Sequence, residues 1–187
     1  LNHPNEFIRA CSLRFMCKLK EPELLEPLVA SIKVHLKDPI PYVKRTAVLA
    51  VHTIFRQLPD LIPDAPELIE EFLQTETDMT ARRNGFLMLY HSDYERAVAF
   101  LADKMDDIAR FGDGFQLVVL ELARKACRGD PASKSFFIRA VYQLLDSESA
   151  AVAYEAAWTL VSLSSAPTAV RAAASAYAKL LVTQSDN

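Results

Sequence analysis

Apolar residues in this chain recur with a helical period, and the helical phrase itself returns about every 36 residues. Five stretches carry it: Phe7–Leu19, Tyr42–Phe55, Thr80–His91, Gly114–Cys127 and Ala151–Leu163. In three of them a short polar or Pro-containing turn leads into Val or Ile, then a small residue four positions on, then apolar residues at helical spacing. Ile8, Ser12, Met16 and Leu19 align with Val43, Ala47, Val51 and Ile54, and with Val152, Ala156, Leu160 and Leu163. The register points Ile8, Val43, Ala81, Phe115 and Val152 are 35, 38, 34 and 37 residues apart. Such a period belongs to stacked helix pairs, each burying its apolar face only against its neighbours. The pattern predicts an all-α fold: an α-solenoid of HEAT/armadillo-like helix pairs in about five repeats, 1–37, 38–76, 77–108, 109–146 and 147–187. Asn2-His3-Pro4-Asn5 and Gln184-Ser185-Asp186-Asn187 both read as turns between repeats. The expectation is a single solenoid segment whose ends are cut from a longer trunk.

The second helices of the pairs are expected at Leu24–Leu36, Glu67–Thr75, Tyr94–Ile108, Ala132–Leu145 and Thr168–Val182. Asp64-Ala65-Pro66-Glu67 and Ser92-Asp93-Tyr94-Glu95 read as capping sequences, as do Asp130-Pro131 and Ser165-Ala166-Pro167. A cap oxygen accepts from a backbone N–H that has no partner in the helix, and Pro in the first turn gives up one that had none. Pro27 is the exception: its helix either starts near Leu24 or kinks at the ring. The small residues Ala47, Gly85 and Ala156 predict close approach by a neighbouring helix, where a charge would be buried without a partner.

Strand and hairpin signals are absent: the chain has only 4 glycines and no NG or DG between alternating runs. The net charge of -3 makes nucleic acid a poor first guess, because phosphate binding usually needs a basic excess. Cys11, Cys17 and Cys127 lack metal spacing and are expected as reduced thiols packed among apolar residues. The scattered His3, His35, His52 and His91 make no helical metal motif. No nucleophile elbow or phosphate loop is present, and the Glu67/Glu70/Glu71 and Asp103/Asp106/Asp107 groups read as solvated helix faces. The chain is therefore read as no enzyme, with no catalytic residue, cofactor, metal or small-molecule substrate, and with no 18-residue apolar run to span a membrane.

What is left is surface. Arg9, Lys44-Arg45 and Arg82-Arg83 fall early in the first helices of three successive repeats, so stacking would align them as a basic ladder. They are either solvated helix faces with stems lying over apolar surface, or a site for an acidic partner or anionic membrane. Trp158, the only tryptophan, lies opposite the Val152–Leu163 stripe and either binds a partner or packs against a further repeat.

The strings HPNEFIRACSLRFMCKLKEPELLEPL, YVKRTAVLAVHTIF, LIPDAPELIEEFL and YEAAWTLVSLSSAPTAVRAAASAY resemble the beta-subunit family of coatomer. They resemble equally the helical trunk which that family shares with the large subunits of clathrin adaptors. The resemblance runs along nearly the whole chain. It implies a non-enzymatic COPI-type vesicle coat subunit, cytoplasmic and peripheral on Golgi membranes and coated vesicles, serving Golgi-to-ER and intra-Golgi transport. The implied partners are other coatomer subunits, delta in particular, and an Arf-family GTPase in its GTP form. Another α-solenoid scaffold, such as a nuclear transport receptor or a phosphatase scaffold, is the alternative. An enzyme on a helical-repeat frame, such as a HEAT-like DNA glycosylase, would need a basic groove with a catalytic carboxylate, and nothing in the residues suggests one.

Overall fold

A computed structural model describes residues 1–129 and 134–183, and every regular element among them is a helix or a 3-10 turn. Two compact units emerge, Leu1–Ala102 and Asp103–Asn187. The Asp130-Pro131 cap and the turn at 184–187 lie outside the described residues.

In the first unit, α1 (Glu6–Met16) begins where the Asn5 carboxamide accepts from the N–H groups of Phe7 and Ile8. The segment that follows is broken: α2 (Pro22–Leu25), a 3-10 turn Glu26–Leu28, α3 (Val29–Val34) and a second 3-10 turn His35–Lys37. Pro27 lies in the first of these turns, where its missing N–H and bulky ring interrupt the helical ladder. The single helix expected at Leu24–Leu36 is thus two short ones.

Next come α4 (Pro41–Gln57), α5 (Ala65–Thr75), α6 (Met79–Ser92) and α7 (Tyr94–Asp103). The first helices neighbour one another in chain order, α1 against α4 and α4 against α6, while α3 packs on α4 and α5 on both α4 and α6. Phe86 and Phe100 join α6 to α7 with ring centroids 6.1 Å apart. Flanked on two sides, α4 buries Val43, Ala47, Val48, Ala50, Val51 and Ile54, more than one apolar stripe.

The second unit opens with a 3-10 turn Met105–Arg110, followed by α8 (Asp113–Gly129), α9 (Lys134–Leu144), α10 (Ala150–Leu163) and α11 (Pro167–Thr183). Here α10 packs against α8, α9 and α11, and α9 packs against α8 and the opening turn. Four of the five expected first-helix stretches are helical throughout and the first is helical to Met16, short of Leu19; the fold class is all-α with HEAT/armadillo-like helix pairs.

The register of the first pair differs from expectation. Ile8 is 47% exposed; Met16 is buried as expected, but Ala10 and Leu13 join it inside in place of Ile8. The described residues cover α1 on one side only, by α4, so the stripe that α4 buries on its other side has no counterpart here. Two caps also differ. Asp64 makes no side-chain cap bond, because Lys33 holds its carboxylate at 2.6 and 2.8 Å. Asp93 rather than Ser92 receives the first-turn N–H of α7, from Arg96, while the Ser92 hydroxyl donates to the Met88 carbonyl.

Gly85 is where a small residue is required. A Cβ there would meet Leu73 Cδ2 at 3.1 Å and Phe72 Cδ1 at 3.3 Å across the α5–α6 seam. Gly85→Val adds two more carbons beyond that point. It is expected to lower the urea unfolding free energy by about 1–2 kcal/mol, overpacking outweighing the gain of about half a kcal/mol in helix propensity. A rise in the unfolding midpoint would show that the seam is looser than this geometry.

Candidate partner-binding surface

The basic residues singled out in the sequence lie early in the first helices, but three of them are matched inside the protein. Arg9 reaches the carboxylate leading into α4, with Nε to Asp38 Oδ2 at 2.9 Å and Nη2 to Oδ1 at 3.1 Å. Arg45 does the same one repeat on, Nε to Asp78 Oδ1 at 2.8 Å and Nη2 to Oδ2 at 2.6 Å. Lys44 Nζ is 2.6 Å from Glu76 Oε2, and Glu76 Oε1 accepts from the N–H groups of Thr77 and Asp78. α1 and α4 thus each grip the turn that launches the next first helix.

Electrostatics follow the geometry. The Arg45 hydrogen bonds hold the Asp78 carboxyl below the usual carboxylate range against the opposing effect of burial, helped by the Ala81 N–H. At Asp38 burial works against the charge, but Arg9 and the Ile40 N–H together outweigh it and the carboxyl is again held low. Arg82 and Arg83 are half-buried on α6, and the Nε of Arg83 is shielded from solvent without a hydrogen-bond partner. The ladder is therefore, for Arg9, Lys44 and Arg45, a row of fastenings between repeats, with little charge left over for a partner.

The second unit repeats the device with other residues. Arg124 Nη1 on α8 donates to Glu155 Oε2 and to the Thr159 hydroxyl of α10, both at 2.7 Å. Gln116, 2% exposed, donates to the Ile108 and Ala109 carbonyls and accepts from the Ser147 hydroxyl. Neither residue stood out in the sequence. The signal that could have found them is a cation or amide in one first helix with an acid or hydroxyl 29 to 35 residues on.

The carboxylate groups are spent similarly. Arg96 alone binds Glu67, Glu70 and Asp93, tying α7 to α5. Among the described residues no three His, Cys, Asp or Glu side chains gather as metal ligands, and no helix is long and apolar enough to cross a membrane. Cys11 is exposed, contrary to the expected packing, because α1 turns that face away from α4; Cys17 and Cys127 are half-buried.

Trp158 is 54% exposed on α10. It lies six residues after Val152, and the residue six after Val43 is Leu49. Leu49 is 49% exposed even though α4 is flanked by both α1 and α6. That register position therefore faces outward in a helix with neighbours on both sides, and Trp158 is exposed in the same way. Tyr154 lies beside it, 53% exposed and edge-on to Tyr177 at 5.4 Å.

The family model described as the adaptin N-terminal region matches residues 1–187. Over all 187 residues the chain is 55% identical to coatomer subunit beta of Drosophila melanogaster, covering 19% of that protein. It is 54% identical to coatomer subunit beta of Rattus norvegicus and 52% identical to that of Dictyostelium discoideum, covering 20% of each. The chain spans about a fifth of the length of these curated relatives. Fold, full-length family match and this level of identity agree: the chain belongs to the adaptin N-terminal region family, and its sequence stands with the beta subunits of coatomer.

Proposed function

We propose that this chain is a segment of a non-enzymatic scaffold in a COPI-type vesicle coat, acting at the cytoplasmic face of Golgi membranes in Golgi-to-ER and intra-Golgi transport. The observation that carries the reading is the identity of 55% to a coatomer beta subunit, held without interruption over the whole chain. Helix pairs with preformed surfaces suit that role, because little ordering entropy is lost when a partner docks. The proposed partners are other coat subunits, the delta subunit in particular, and an Arf-family GTPase in its GTP form. The five pairs are proposed as consecutive repeats of one solenoid segment. Arg82 and Arg83 on α6 are kept as basic candidates for the surface, with Trp158 its aromatic anchor.

Affinity isolation from cytosol with the chain as bait is expected to return coat subunits, and more of them with an Arf-family GTPase locked in the GTP state than in the GDP state. Recovery of transport receptor cargo or phosphatase subunits instead would replace this reading with another solenoid scaffold. Trp158→Ala is expected to weaken coat-subunit recovery by about tenfold or more, as for an interface anchor. Its melting temperature is expected to stay within about 2 °C of the parent, since the ring is half in solvent. Unchanged recovery would remove Trp158 from the surface.

A further inference from the structure

We propose that His52 and His91 make the seam between the C-terminal halves of α4 and α6 an acid-sensitive latch, closed while both rings are neutral and loosened when both carry a proton. The two imidazoles come from neighbouring first helices, with ring centroids 5.9 Å apart. His52 is half-buried, and its Nδ1 is shielded from solvent with no hydrogen-bond partner. His91 lies exposed in the last turn of α6. A neutral ring leaves one nitrogen bare, whereas an imidazolium carries an N–H on both. Charging His52 therefore creates a donor at Nδ1 where no acceptor waits, which costs more for a charged group than for a neutral one. It also sets that charge against a second imidazole, the side-chain type that gains its own charge in mild acid.

The surroundings push the same way. Burial disfavours the His52 imidazolium most, followed by His91 and by Arg56 one turn along α4, and the ring is held below the ordinary imidazole range. On the α6 side Tyr90 sits 5.0 Å from His91, and Tyr94 of α7 sits 6.1 Å from Tyr90. Neither offers a carboxylate to an imidazolium. From α1, Cys17 reaches the side chain of Thr53, the residue after His52. The helices α3 and α5 and the 3-10 turns His35–Lys37 and Pro59–Leu61 also pack on α4, but none of their charges bears on the ring. The acids near these helix ends are engaged elsewhere or stand in water: Asp93 holds Arg96, and Glu21, Glu23, Asp60 and Glu95 are exposed.

The folded ring resists a proton that the unfolded chain accepts. The seam's stability is therefore fully present above the ordinary imidazole value near 6.5 and is lost as pH falls through the lower folded-state value. A small separation of the two helices relieves the strain, because water then reaches Nδ1 and the rings move apart. Both rings lie within two turns of the ends of their helices, where local opening costs least. The latch is a property of the helix pair and does not depend on the coat role.

The test is amide hydrogen exchange of the full chain at about pH 7.5 and about pH 5.5, corrected for the chemical exchange rate. Opening within 49–57 and 86–92 is expected to rise about fivefold or more at the lower pH, the size of a like-charge contact at this separation. Helices of the second unit are expected to change by less than about twofold over the same step. In His52→Gln/His91→Gln the acid response of 49–57 and 86–92 is expected to shrink below about twofold. Glutamine at 52 can loosen the seam at both pH values, so the ratio between them is the readout and not the level. His91→Gln, at an exposed site, carries the test alone if the double variant melts early. Arg56→Gln removes one opposing charge and is expected to give a smaller response than the parent. His3 and His35 are untouched in every variant, so their contribution is common to all. An acid response that is as large in the double variant as in the parent would overturn the proposal. So would a parent with no response, or a response spread evenly over both units, which general titration of carboxylates produces.

Discussion

Ala156→Asp is expected to lower the stability of the second unit by more than about 4 kcal/mol, the range reached when a charge is buried without a partner. Ala156 has no exposure, and its helix α10 packs against α8, α9 and α11. A carboxylate there must either give up its hydration or take up a proton, and both are costly in an apolar seam. The cation available on α8, Arg124, is already bound to Glu155 and Thr159. Against a domain stability of about 5–15 kcal/mol the loss is large enough to unfold the unit or leave it marginal. Circular dichroism melts, with emission from Trp158 on the same helix, read it directly. Ala151→Asp supplies the control: the site is exposed in the first turn of α10, where a negative charge suits the helix dipole, so stability should stay within about 0.5 kcal/mol. A parent-like melt for Ala156→Asp would mean that the assigned seam is not the one the helices bury.

That seam was legible in the sequence because close packing between helices needs a small residue at a fixed place in a repeating phrase. Ala47 and Ala156 are fully buried, and Gly85 faces Leu73 at a distance that barely leaves room for a methyl group. The five first helices followed from apolar period alone. The first repeat was misregistered because periodicity names an apolar face without saying what covers it. Phe7, Ile8, Cys11 and Phe15 continue the pattern yet face outward, since the described residues place no helix on that side of α1. Pro27 offered two readings, and only the chain around it selects a 3-10 turn between two short helices.

The surface was less legible. Arg9 and Arg45 were picked out as a ladder by their repeated place in the helix, and that repetition is real. Its cause was hidden, because the acids that answer them lie 29 and 33 residues on, shorter than the repeat, in turns that sequence patterns describe poorly. A cation repeated through a solenoid is as much a sign of a fastening between repeats as of a ligand. Only the position of its acid distinguishes the two. The exposure of Trp158 became readable only once Leu49 showed what its register position does in a helix flanked on both sides.

The fastening at Asp78 carries the second large effect. Asp78→Ala is expected to cost the first unit about 2–3 kcal/mol in urea unfolding, because one side chain performs two tasks. Its Oδ1 caps α6 by accepting the Ala81 N–H at 2.8 Å, and both its oxygens receive the Arg45 guanidinium. Loss of the cap contributes about 1 kcal/mol, and loss of the charged hydrogen bonds about 1–2 after allowance for Arg45, whose side chain is 40% exposed and can return to water. Asp78→Asn keeps the acceptor without the charge and should recover the cap alone, falling between parent and alanine. The carboxyl is held below its ordinary value in the folded chain, so the unfolded chain binds the extra proton as acid is added. The stabilisation is fully present above the ordinary carboxylate range near pH 3.8 and is lost as pH falls through the lower folded-state value. The gap between parent and Asp78→Asn should therefore narrow below about pH 4, with the Asp38 fastening weakening over the same range in both proteins. A gap that persists unchanged into that range would mean that Asp78 stabilises the unit through packing rather than charge, and the Arg45 contact would lose its place as a fastening.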